Sequence, residues 1–165
     1  MRPTWNDYFF EVVDSIAKRA TCDRGRSGCV IVRNNAILTT GYVGSAPGQD
    51  HCYEAGHRMV EIQDLDRDLN KVGEPHRHCI RTIHAEMNAI LQAAKTGISL
   101  EGATLYCSMT PCMACAMAII RVGIKKVLCK KRYQKAAVSI DMFRAAGVEL
   151  VHREEVVMEY PEQKL

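Results

Sequence analysis

The sequence predicts an α/β fold, one mixed five-stranded sheet with helices on both faces. Three observations predict it: a helical apolar stripe near the N-terminus, two β-type runs joined by a short asparagine turn, and a regular alternation of helix and strand thereafter. Strands joined by helical crossovers run parallel, so the later strands extend the sheet in parallel beside an initial antiparallel pair.

From Thr4 to about Ala20, the residues Trp5, Tyr8, Phe9, Val12, Val13, Ile16, Ala17 and Ala20 recur at three- and four-residue steps, with Thr4 placed to cap the helix and Asp7 in its first turn. Cys29–Val32 and Ala36–Thr40 follow as strands, and Asn34 and Asn35 between them tolerate the positive φ of a tight hairpin. Periodicity then weakens from Gly44 to about Arg81, a stretch read as one long functional loop. Order returns with a helix from His84 to Lys95 ending at Gly97, a strand Thr104–Met109, a helix Pro111–Val122, a strand Lys126–Cys129, a helix Ser139–Ala146 and a strand Val148–His152.

With 165 residues, 47% of them hydrophobic and 25% charged, the chain suits a single domain spanning 1–165. A net charge of +3 is too mild to imply a nucleic-acid partner and fits a small anionic substrate. No run approaches the roughly 20 apolar residues that span a bilayer, and Met1–Asp7 has no signal-like apolar core, so a cytoplasmic protein without a membrane partner is expected. In that setting the eight cysteines read as metal ligands and reduced core thiols rather than disulfides.

Two segments carry chemistry: His84-Ala85-Glu86 and Pro111-Cys112-Met113-Ala114-Cys115. Pro111 suits a first helical turn, from which Cys112 and Cys115 project on one face. The helix N-terminus and a metal together favour the thiolates that bind zinc, and His84 supplies a neutral third ligand. Three protein ligands leave the fourth tetrahedral position open to a water that zinc activates. Glu86, two residues after His84, is the proton carrier. The alternative is half of a structural zinc site, completed by other Cys or His residues, with Glu86 an ordinary exposed helix residue.

HAEMNAI (84–90) and PCMACAMAII (111–120) resemble the cytidine deaminase superfamily. RPTWNDYFFEVVDSIAKRATC at the N-terminus, GYVGSAPGQDHCYEAGH (41–57) and HCIRTIHAE (78–86) resemble the deoxycytidylate (dCMP) deaminases and related competence-associated deaminases. The resemblance implies the cytidine deaminase-like three-layer sandwich, conversion of dCMP to dUMP for thymidylate synthesis, regulation by dCTP and dTTP, and a homo-oligomer, with a hexamer favoured. Many relatives have asparagine where this chain has Val43, so Val43 is a candidate substrate contact that offers only an apolar side chain in place of an amide that could bond the sugar or an effector.

By the same resemblance Cys22, Cys52 and His78 match positions holding a second, non-catalytic zinc in some relatives, with His51, His57, His76 and Cys79 in the same segments. The alternative is free thiols and solvated imidazoles. Tyr133 resembles a tyrosine that closes over substrate, or is packing alone. Arg81 and the cluster Lys125, Lys126, Lys130, Lys131, Arg132 and Lys135 are candidates for a phosphate, the cluster being equally a solvated strand edge. Cys29, Cys107 and Cys129 read as core. Two other functions remain: a tRNA adenosine deaminase, suggested by the Pro-Cys-Met-Ala-Cys-Ala segment and the basic cluster, and a catalytically silent zinc-structured binding module.

Overall fold

Thr4 starts the first helix. Its backbone is extended and its hydroxyl accepts the Asp7 N–H at 3.2 Å, so α1 (Trp5–Ala17) begins capped as its sequence predicts. The computed structural model describes residues 1–66, 68, 70–133 and 135–158. Strands β1 (Gly28–Arg33) and β2 (Ala36–Tyr42) form the expected hairpin, with Asn34 and Asn35 at φ 52° and 59°.

The segment read as one long loop has structure of its own. It holds β3 (Gly44–Ser45), a short helix α2 (Cys52–Ala55), β4 (Met59–Leu65), β5 (Lys71–Cys79) and β6 (Thr82–Ile83). Among the described residues, strands β4 and β5 pair only with each other, as an antiparallel arm outside the main sheet. No helix among the described residues packs broadly against the arm, so it needs no continuous apolar face and its sequence lacks the alternation that marks a strand. Gly73 and Pro75 also argue against a strand, and both fall where the register shifts between the pairs Ile62↔His76 and Asp64↔Val72.

Then come α3 (Ala85–Thr96), stopped by Gly97 in the left-handed region, β7 (Thr104–Met109), α4 (Met113–Arg121), β8 (Lys126–Tyr133), α5 (Ala137–Ala145), β9 (Glu149–His152) and β10 (Val157–Met158). The main sheet runs β2-β1-β7-β8-β9, antiparallel up to β7 and parallel from β7 to β9. A sixth strand, β10, pairs with β8 at Arg132 and Tyr133, beyond where β9 pairs with it. The expected five positions are present, and β10 lengthens the last.

Side-chain alternation divides two cores. Cys29, Ile31, Leu105, Cys107, Val127 and Cys129 face α3, α4 and α5, whereas Val30, Val32, Tyr106 and Leu128 face α1 through Phe9, Phe10 and Val13. That is the three-layer α/β/α arrangement. Cys29, Cys107 and Cys129 are fully buried in it. Two glycines bring the layers together: a Cβ on Gly28 would strike the α1 backbone at Val13 and Ala17, and one on Gly41 would strike the α3 backbone at Ala85 and Ala89.

Candidate active site and metal centres

Two helix N-termini meet at one point. His84 is the N-cap of α3 and Cys112 the N-cap of α4, both in extended backbone geometry. Pro111 thus sits just before the cap rather than in the first turn where its sequence placed it. Both helix ends add positive potential, which favours thiolates.

The side chains converge. His84 Nδ1 lies 3.4 Å from Cys112 Sγ and 3.6 Å from Cys115 Sγ, and the three donor atoms fall within 4.8 Å of one another. A tetrahedral zinc with bonds of about 2.3 Å to sulfur and about 2.0 Å to nitrogen requires N···S edges of about 3.5 Å. The donor set therefore fits zinc in both chemistry and spacing.

Without metal the trio shares protons unevenly. The Cys115 thiol, by hydrogen bonding to Cys112, holds the Cys112 thiol down at about 3, and the His84 ring adds to that effect. The Cys112 thiolate in turn raises His84 to about 9, while hydrogen bonding to Cys112 and burial push Cys115 up. At pH 7 the free trio is then a Cys112 thiolate, a Cys115 thiol and a His84 imidazolium. Zinc takes two thiolates and a neutral imidazole, so loading at pH 7 releases about two protons, one from Cys115 and one from His84. Above pH 9, where His84 has already lost its proton, the ligands' share falls towards one, and a zinc-bound water with a pKa towards about 7 supplies about one more. Titration calorimetry in buffers of different ionisation enthalpy measures both numbers.

Glu86 lies in the first turn of α3 and is 7% exposed. It is not one of the clustered donors, yet its charge acts on both His84 and Cys115. Burial pushes its carboxyl above the ordinary range, against the pull of the His84 imidazolium. A buried carboxyl beside a metal position, with a raised affinity for a proton, is suited to proton transfer.

A second cluster forms away from these residues. Cys22, Cys52, His57 and Cys79 bring their donor atoms within 4.8 Å, with Cys22 Sγ 3.7 Å from His57 Nδ1 and Cys52 Sγ 3.8 Å from Cys79 Sγ. Cys22 and Cys52 do meet, but the expected third donor, His78, is not with them. Neighbouring residues of a strand point to opposite sides, so when Cys79 enters this cluster His78 turns the other way, to His84. His51 and His76 also lie outside it.

Val43 departs from its expected role as a substrate contact. Its side chain is buried among Cys22, Cys52 and Cys79, its N–H donates to Ser27 O, and its carbonyl accepts from Thr21 N. Arg81 donates from Nε to Gly56 O, lies 3.8 Å from Asp50, and lines a cavity of about 270 Å³ with Arg58 and Ile83. Tyr133 stands near the metal loop, its N–H donating to Thr110 Oγ1 two residues before Cys112. Of the basic cluster, Lys126 pairs with Glu149, Lys130 with Asp14, Arg132 with Glu155 and Lys135 with Asp64.

Two supporting residues were not singled out from sequence. Asn88 donates from Nδ2 to Tyr42 O at 2.8 Å, tying the end of β2 to the first turns of α3. Its only sequence signal is a polar side chain one turn after His84. The Thr110 hydroxyl, which accepts from the Tyr133 N–H, also hydrogen-bonds His152 Nε2 at 2.9 Å. No sequence signal joins those two, which lie 42 positions apart.

Comparison with known proteins places these features in a family. Residues 3–131 match the family model described as the cytidine and deoxycytidylate deaminase zinc-binding region. The chain is 37% identical over 160 residues to ComE operon protein 2 of Bacillus subtilis, covering 96% of this chain and 77% of that protein. It is 35% identical over 150 residues to the deoxycytidylate deaminase of Schizosaccharomyces pombe, covering 90% of this chain but only 44% of the yeast protein. Among solved structures it resembles the dCMP deaminase of cyanophage S-TIM5 in complex with dCMP and dUMP, with a TM-score of 0.69 and 25% identity over 92% of this chain and 98% of that one. On the span of that match and the identity to these relatives, the chain belongs to the cytidine and deoxycytidylate deaminase family.

Proposed function

We propose that this chain, acting as one domain, hydrolyses dCMP to dUMP and ammonia and so supplies dUMP for thymidylate synthesis. The observation that carries the reading is the buried Glu86 beside a three-donor cluster, His84, Cys112 and Cys115, whose spacing suits zinc and whose ligand count leaves one position open. The deoxycytidylate deaminase of S. pombe and the cyanophage complex with dCMP and dUMP support the substrate.

In this role His84, Cys112 and Cys115 hold the zinc. When bound, the metal lowers the pKa of water towards about 7 and so supplies a nucleophile at neutral pH. Glu86 takes a proton from the attacking water and delivers it to N3 of the cytosine ring as the water oxygen bonds C4. It then takes the remaining O–H proton and passes it to the amine, which leaves as ammonia when the C4–N bond breaks and the C4 carbonyl forms. Arg81 and Arg58, lining one cavity beside Ile83, are the candidates to hold the 5′-phosphate, and Tyr133 to close over the base.

The reading extends to a second, structural zinc held by Cys22, Cys52, His57 and Cys79, which as a closed four-donor set has no open position. It also makes the protein a cytoplasmic homo-oligomer, with a hexamer favoured, under dCTP and dTTP control. Among the described residues no helix is long and apolar enough to cross a membrane. With Val43 buried and its backbone groups bonded, effector contacts fall to other residues of the loop. The ion pairs that engage four of the six basic-cluster residues weigh against an RNA-binding surface.

The test is separate incubation of the zinc-loaded protein with dCMP, CMP, deoxycytidine, dCTP and a tRNA anticodon stem, with and without added dCTP as effector. Selective dUMP formation is expected. Inosine in the RNA overturns the substrate, and no product from any of them makes the chain a silent zinc module. Metal analysis of the same sample is expected to give two zinc ions per chain, falling to one in Cys52→Ala.

A further inference from the structure

His78 makes a contact that neither metal cluster accounts for. Its Nε2 lies 3.3 Å from Nε2 of His84, and the two rings meet edge to face with centroids 5.3 Å apart. The opposite nitrogen of His84, Nδ1, is the one that faces Cys112 Sγ and Cys115 Sγ. A neutral imidazole that gives the lone pair of Nδ1 to a metal carries its proton on Nε2. That proton points at His78.

We propose that His78 is a positioning residue: its Nε2 accepts the Nε2–H of His84 and holds His84 in the tautomer and ring orientation that present Nδ1 to the metal. The inference rests on the reading of His84, Cys112 and Cys115 as the zinc ligands. Metal-bound histidines generally donate their second N–H to a carboxylate, a carbonyl or a water. The choice of an imidazole here has a chemical consequence. Two thiolates already balance the two charges of zinc, and a carboxylate acceptor would add a net negative charge and make His84 a stronger electron donor. A neutral ring fixes the direction of His84 without that charge and leaves the metal the better Lewis acid.

The fold holds His78 in place from three sides. It pairs with Val60 across the β4–β5 arm, Cys79 beside it is buried in the second cluster, and Arg24 donates to the carbonyl of Arg77 on its other flank.

The test uses the full-length protein and three variants. His78→Leu and His78→Phe remove the acceptor, the second keeping the bulk of a ring, while His78→Gln restores an acceptor through its amide oxygen. Zinc affinity is measured by competition with a chromophoric chelator, and kcat and KM are measured on dCMP. Loss of the acceptor is expected to weaken zinc binding by about 10–100-fold and to lower kcat with KM little changed. Gln is expected to recover most of both. Nitrogen-15 imidazole spectra of the zinc-loaded wild type are expected to show His84 protonated at Nε2 and coupled to His78. Wild-type zinc affinity in His78→Leu and His78→Phe, a Gln variant as impaired as Leu, or a His84 ring protonated at Nδ1 each overturns the proposal. The two readings separate: the zinc and nitrogen-15 results without dUMP formation leave His78 in its role and remove the substrate, and dUMP formation without them does the reverse.

Discussion

Glu86→Gln is expected to lower kcat for dCMP by roughly 10³-fold or more while keeping zinc at the wild-type level, because general acid–base groups contribute about 10²–10⁴-fold. The amide keeps the shape of the side chain but cannot carry a proton between water, ring and leaving amine. Its carboxyl is not one of the clustered metal donors, so the ligand set is untouched. Burial disfavours the ionised carboxylate at this position, so a neutral amide should leave the melting temperature equal or higher. Low turnover in a protein at least as stable as wild type, with full zinc by atomic absorption, is the expected combination. A variant retaining more than about a tenth of wild-type turnover would remove Glu86 as proton carrier, given that range.

The largest effect on stability is expected at Gly41→Ala. The new Cβ would lie closer than 3.0 Å to the backbone of Ala85 and Ala89, and backbone in a capped helix cannot move aside as a side-chain tip can. Overpacking costs about 1–3 kcal/mol and this site belongs at the upper end, a fall of roughly 6–12 °C in melting temperature. Gly41 presses on the turn that carries Glu86 and follows His84. Displacement of that turn should loosen zinc as well, so calorimetry and chelator competition should fail together. A variant that melts with the wild type means that α3 slides along the sheet without cost.

The centre of the sheet was legible because β1, β7 and the first half of β8 are buried on both faces. Cys29–Val32, Thr104–Met109 and Lys126–Cys129 are apolar enough to be read as strands, Asn34 and Asn35 mark the hairpin turn, and Thr4 and Gly97 mark the start of α1 and the end of α3. Strand β8 runs on to Tyr133 through Lys130, Lys131 and Arg132, where no apolar signal survives and pairing to β7 and β10 supplies the order. The donors of the first cluster were legible because they lie in two short segments of fixed spacing. Those of the second come from four separate places in the chain, and their grouping depends on the arm formed by β4 and β5, which the sequence hides behind Gly73, Pro75 and charge. The misplacement of His78 follows from that hidden arm: without a strand there was no reason to set His78 and Cys79 on opposite sides.

That opposition also limits how the arm can change in length. A single residue inserted near its base would exchange the sides of His78 and Cys79, presenting a thiol to His84 and an imidazole to Cys52, since a one-residue slip reverses every side chain of a strand. At the tip, between Leu65 and Lys71, an added residue leaves the paired register Met59↔Cys79 and Val60↔His78 as it is. Length is therefore free at the far end of the arm and fixed to even steps at its root.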